Sequence, residues 1–247
     1  MPLALGTRIR EACHACRAMG MPLLRGYALA LLILLLPVQA ALAAPTDPVL
    51  QERIEAWPAW SLPAPLPRPG RQDLIYPDWF SGSWQVTSSD PSGREPELHY
   101  SVRFSPDARG RVVGDRAFNA SAVGQALLGD QLLQVRNDPR NPNRQLADLS
   151  GDQQLESTVV GRRSNEPAAG LFLADELALQ VLHGPGDPRV SRVETLSRYR
   201  LVTPDRIEAE QWQASYASPA QGLAADARRS WEGRLVLERL DPAAGAA

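Results

Sequence analysis

Six side chains in the second half of the chain are of types that could hold or act on a small molecule: Arg162, Glu176, Glu194, Gln211, Trp212 and Tyr216. All fall in alternating runs, so their use depends on which side of a strand they occupy. Pointing inward, Arg162, Glu176, Glu194, Gln211 and Tyr216 would line a polar-spotted cavity with the charges paired, because an unpaired buried charge is heavily penalised. Pointing outward they are solvated surface, and one bulge reverses every later side. Glu176 and Glu194, on adjacent strands, could do glycosidase chemistry at a suitable separation.

The rest of the catalytic inventory is thin. His99 lies on the polar side of its strand and His183 in a turn before Gly184. No H-E-x-x-H, G-x-S-x-G, P-loop or G-x-G-x-x-G pattern occurs. The chain has no lysine, all 26 basic residues being arginine, so Schiff-base chemistry is excluded. Cys13 and Cys16 flank His14 in CHAC, half a zinc site without a second half. No set of catalytic roles assembles from these residues, which argues for a binding protein over an enzyme, with no metal and no cofactor.

The first 43 residues read as an export signal: Arg8, Arg10, Arg17 and Arg25, then a charge-free leucine-rich run, then Ala41-Leu42-Ala43 as a cleavage pattern. Retention as a membrane anchor is the alternative, since the charge-free run approaches the ~20 residues a spanning helix needs. Cleavage after Ala43 would remove both cysteines. Beyond that point 22 arginines face 27 carboxylates, a mildly acidic balance that gives no reason to expect nucleic acid.

Residues 44–71 hold seven prolines and are expected to be an extended leader without a helix or inner strand. Trp57 and Trp60 within it either pack over the adjacent barrel or dock a partner. From 72 to 240 the pattern is strand after strand, LHYSVRF at 98–104 alternating cleanly. Similar runs lie at 83–89, 111–117, 131–136, 155–163, 171–182, 190–202, 206–216 and 231–240. One helical interruption is expected at 120–128, capped by Asn119 and ended by Gly129. DPRNPNRQ at 138–145 reads as a rigid turn that could place Arg140, Asn143 and Arg144 at a barrel mouth. The expected fold is all-β, an antiparallel barrel of about 8–10 strands with one short helix, followed by a disordered tail at 241–247.

YPDWFSGSW at 76–84 crowds aromatics around Gly82-Ser83-Trp84 at the start of the first long strand. This resembles the opening of lipocalin-type barrels, which implies that the glycine bends the chain, Trp84 packs inside, and an arginine from the last strand lies across it. Parity in WEGRLVLERL selects Arg239 over Arg234 for that role. A longer pattern, with GDRAFNA at 114–120, DPRNPNRQ, RVETLSRYR at 192–200 and QWQASY at 211–216, resembles a family of uncharacterised exported proteins of cyanobacteria and plastids. That resemblance implies a thylakoid lumen or periplasm and no established activity. The expected role is binding a small apolar or amphiphilic molecule, with pigment, quinone, isoprenoid or lipid as candidates by fold analogy. The alternative is a non-catalytic assembly or interaction protein of the photosynthetic or envelope membrane.

Overall fold

Asp47 precedes Pro48, a capping acceptor followed by the one residue whose missing N–H costs a helix nothing at its first position. The computed structural model, which describes residues 47–166 and 170–240, starts a helix there: α1 (Pro48–Glu55), with the Asp47 carboxylate accepting from the Val49 and Leu50 amides. The leader is therefore not extended throughout. Its prolines leave residues 49–57 free, and that gap is long enough for two turns. The export signal, its cleavage point after Ala43, Cys13, Cys16 and the 241–247 tail lie outside the described residues.

The strands are β1 (Ser61–Leu62), β2 (Ile75–Tyr76), β3 (Gly82–Ser89), β4 (Leu98–Pro106), β5 (Val112–Gly114), β6 (Leu132–Asp138), β7 (Asn141–Leu149), β8 (Gln153–Ser164), β9 (Leu171–Gly184), β10 (Gly186–Thr203), β11 (Arg206–Tyr216), β12 (Ala225–Asp226) and β13 (Arg229–Arg239). Helix α2 (Arg116–Leu128) follows β5. Strands β1 and β12 pair with each other, and the other eleven form one antiparallel sheet in the order β2-β5-β4-β3-β13-β11-β10-β9-β8-β7-β6. The fold is all-β and barrel-like, as the alternation requires.

The sheet curls tightly. Four strands separate β4 from β9, yet Phe104 and Phe172 both meet Phe80, at 4.9 and 6.0 Å between ring centroids. Phe80 belongs to a short 3-10 turn, Asp78–Phe80, that plugs the concave side. Helix α2 packs against both β4 and the edge strand β6, bridging the two arms of the curl. It begins four residues before the expected start because Asp115, not Asn119, caps it by accepting from the Phe118 amide. Asn119 instead pins the helix to β4, its amide accepting from Arg103 N (2.7 Å) and donating to Arg103 O (3.0 Å) as a strand residue would.

Two buried clusters lie on opposite faces of the sheet. The concave one joins Phe80, Trp84, Val86, Val102, Phe104, Phe172, Ile207 and Leu237. The convex one joins Leu173, Leu196, Trp212, Ala214 and Tyr216 to Leu50, Trp60 and Leu62 of the proline-rich arm. Both clusters draw on β11, whose odd positions face inward and even positions outward, so this strand is buried on both sides.

Candidate functional site

Along the concave face the residue types change in a regular way from floor to mouth. Following β3, β4, β11 and β13 from the plug outward, the inward positions run Trp84, Val86, Ser88; Phe104, Val102, Tyr100, Leu98; Ile207, Ala209, Gln211, Gln213; and Leu237, Leu235, Gly233, Trp231. The floor is dry and the mouth mixed. A cavity of about 440 Å³ occupies the mouth, roofed by Val123, Ala126 and Leu127 of α2. Its size falls within the ~300–1,000 Å³ of small-molecule sites.

The floor is sealed by a single guanidinium. Arg239 lies 4.2 Å from the Trp84 ring centroid and donates to Ser81 O (2.7 Å), Trp79 O (3.3 Å) and Pro204 O. Trp84 Nε1 donates to Phe80 O at 2.7 Å, so the buried indole is satisfied. Gly82 has φ +116°, and a Cβ there would stand 2.8 Å from Arg239 Nη1. Only glycine combines that turn with room for the arginine.

At the mouth, Gln211 Nε2 donates to Ser197 Oγ (3.0 Å) and Gln213 Nε2 to Thr195 Oγ1 (3.1 Å), cross-strand pairs that fix both amides. Burial pushes the Tyr100 phenol up to about 12. Trp231 folds over Gly233, where a Cβ would meet the indole at 2.1 Å. The glycine thus makes room for a flat aromatic wall.

The six residues singled out in the sequence do not line one cavity. Strand pairing places Arg162, Glu176 and Gln211 on the concave face and Glu194, Trp212 and Tyr216 on the convex face. Glu176 stands opposite Thr195, so Glu194 points through the other side of the sheet and the two carboxylates cannot flank one glycosidic bond. Gln211 alone among the six lines the mouth.

Most of the others are occupied by the proline-rich arm. Arg162 donates Nε to Glu176 (2.6 Å), Nη1 to Gln72 O (2.7 Å) and Nη2 to Asn143 Oδ1 (2.7 Å), while its amide donates to Pro67 O. Asn143, expected in a loop at the mouth, is a buried residue of β7 whose amide donates to Gly70 O (3.0 Å). Arg144 is paired with Glu156 and Asp138, and Arg140 sits in the turn between β6 and β7. DPRNPNRQ thus supplies a tight hairpin turn and the start of a strand.

On the convex face Glu194 is wholly buried and takes both arms of the Arg53 fork, Nε–Oε1 2.8 Å and Nη2–Oε2 2.7 Å, together with the Tyr216 hydroxyl at 2.5 Å. Arg53 also stacks over Trp60 at 4.7 Å. Beside Glu194 lies Asp175, equally buried, neither of whose oxygens has a hydrogen-bond donor among the described residues. Burial first, and then the neighbouring Glu194 charge, push the Asp175 carboxyl well above the usual range. A protonated Asp175 can donate to Glu194, which removes the conflict between two buried acceptors. Sequence inspection missed Asp175 and Arg53 because neither lies in a motif; the β9–β10 register brings Asp175 to Glu194, and the packing of α1 on the sheet brings Arg53.

A family described as Domain of unknown function (DUF6816) matches residues 92–230, which hold α2, the glutamines of the mouth and the Asp175–Glu194 pair. No curated protein and no solved structure matches the chain.

Proposed function

We propose, for a chain that belongs to the DUF6816 family of domains of unknown function, that it is an exported, lipocalin-like protein of a thylakoid lumen or periplasm that binds a small apolar or amphiphilic molecule. The observation that carries this reading is the mouth cavity of about 440 Å³, roofed by a helix, walled by Leu98, Tyr100 and Trp231, and set above a packed apolar floor. The Arg239–Trp84 floor under a positive-φ glycine supports the lipocalin-like part. The basic, then leucine-rich, then Ala-Leu-Ala start of the sequence supports export.

One observation favours the second reading, an assembly or interaction protein of a membrane. Leu127 and Leu128 at the end of α2 and Leu133 near the start of β6 are all exposed. The arm lends that reading nothing: Trp60 is buried and Trp57 packs edge-on against it at 4.8 Å.

Native mass spectrometry with organic extraction, on the chain from Ala44 purified from its own host, tests the first reading. A stoichiometric co-purifying small molecule is expected. A clean apo mass, with protein partners captured by cross-linking instead, would replace it with the second reading.

A further inference from the structure

Helix α2 and the strands at the mouth define not only a volume but a hydrogen-bonding character. Gln211 and Gln213 each spend an amide N–H on a neighbouring hydroxyl, and among the described residues neither amide oxygen accepts a hydrogen bond. Two fixed carbonyl acceptors therefore line the mouth, beneath an apolar roof. A bound molecule that brings a donor satisfies them; one that brings only acceptors leaves them buried and unpaired.

Charge narrows the choice further. The cavity wall contains two carboxylates, Asp90 and Glu95, and no basic side chain. Asp90 is held ionised by Ser92 and by the Arg94 and Glu95 amides. An anionic head group would meet like charge at the rim and two carbonyl dipoles inside. A cationic head fares little better. The Asp90 oxygens are already engaged within their own turn, and Arg94 and Arg229 line the adjoining hollow that shares Asp90, Glu95, Gln213 and Trp231. An ammonium held at Gln211 would be desolvated with only the exposed Glu95 and the already engaged Asp90 as counter-ions at the rim.

We propose that the mouth selects an uncharged amphiphile bearing a hydroxyl or equivalent hydrogen-bond donor, whose donor group reaches the Gln211 and Gln213 amide oxygens and whose hydrocarbon lies against Trp231, Tyr100 and the underside of α2. This rests on the binding reading above and adds the head-group class to it.

The test uses one chain length and three heads. Dodecanol, dodecanoate and dodecylamine are titrated at pH 8 against the uncharged fluorescent probe N-phenyl-1-naphthylamine on the chain from Ala44. Dodecanol is expected to displace the probe at least ~10-fold more tightly than either charged analogue. Gln211→Leu and Gln213→Leu are expected to shrink that preference, read on each variant as the ratio of dodecanol to dodecanoate displacement. Equal displacement by all three, or tighter displacement by the acid or the amine, would overturn the head-group proposal and leave the cavity reading standing. A probe that fails to bind saturably would remove the cavity reading, and this proposal with it.

Discussion

Arg53, carried by a helix in the proline-rich arm, clamps Glu194 in the middle of the sheet through both arms of its fork, at 2.8 and 2.7 Å. The arginine side chain is 10 % exposed and the carboxylate 0 %, so this is a buried ion pair completed by the Tyr216 hydroxyl. Removing one partner leaves the other charge stranded. Arg53→Ala is expected to lower stability by about 3–5 kcal/mol, whereas Arg53→Leu combined with Glu194→Leu should lose much less. Tyr216→Phe should cost about 1–3 kcal/mol. Urea unfolding of the single and double variants checks the cycle; additivity of the two single losses would contradict the pairing.

Asp175 gives the fold a pH dependence of definite sign. Its folded-state proton affinity is raised by burial and by Glu194, so the folded chain holds a proton that the unfolded chain releases at the ordinary aspartate value, 3.8. Stability is therefore full below that value and is lost as pH rises towards the raised folded value, with a slope of up to ~1.4 kcal/mol per pH unit for one proton. Asp175→Asn removes this linkage. Thermal unfolding across pH 4 to 8 should show the wild type falling relative to the variant; parallel curves would contradict the buried protonated carboxyl.

Gly161 lies where the arm crosses β8, and a Cβ on it would stand 2.9 Å from Leu66 Cβ. Nothing flexible can absorb that contact. Gly161→Ala is expected to loosen the arm at a cost of about 1–3 kcal/mol. Limited proteolysis between α1 and β2 should accelerate in this variant, and unchanged cleavage would show that the arm tolerates the methyl.

At the floor, Arg239→Met should cost about 2–4 kcal/mol, since it removes a cation–π contact and several guanidinium bonds to carbonyls. Arg239→Lys should recover little, because one ammonium cannot reach the same spread of acceptors. Equilibrium unfolding of both variants measures this, and a lysine variant as stable as wild type would contradict the geometry.

Much of the architecture was legible because alternation is a local signal. β4 and β11 follow their periodicity, and counting forward along β13 from its inward Leu235 and Leu237 reaches the arginine that covers Trp84. β7 was hidden because Asn141, Pro142 and Asn143 have turn chemistry, yet β7 pairs with β8 only from Arg144 onward and Asn143 is held by Arg162. Helix α1 was hidden by the proline count, although Asp47-Pro48 was a readable start. The split of the six site residues across two faces could not be judged one strand at a time. It depends on how the strands pair, as with Glu176 opposite Thr195, and the convex face is then buried by an arm some 150 residues away in sequence that no local pattern encodes.

The most direct test of a ligand-holding mouth is to fill it. Ala126 lines the cavity from α2, so Ala126→Trp places an indole in the space the ligand would take. Equilibrium titration with N-phenyl-1-naphthylamine should give one saturable site on the wild type and at least ~10-fold weaker binding to Ala126→Trp, with both proteins melting at the same temperature. Equal affinity for the two, or binding that never saturates, would contradict a ligand site at the mouth.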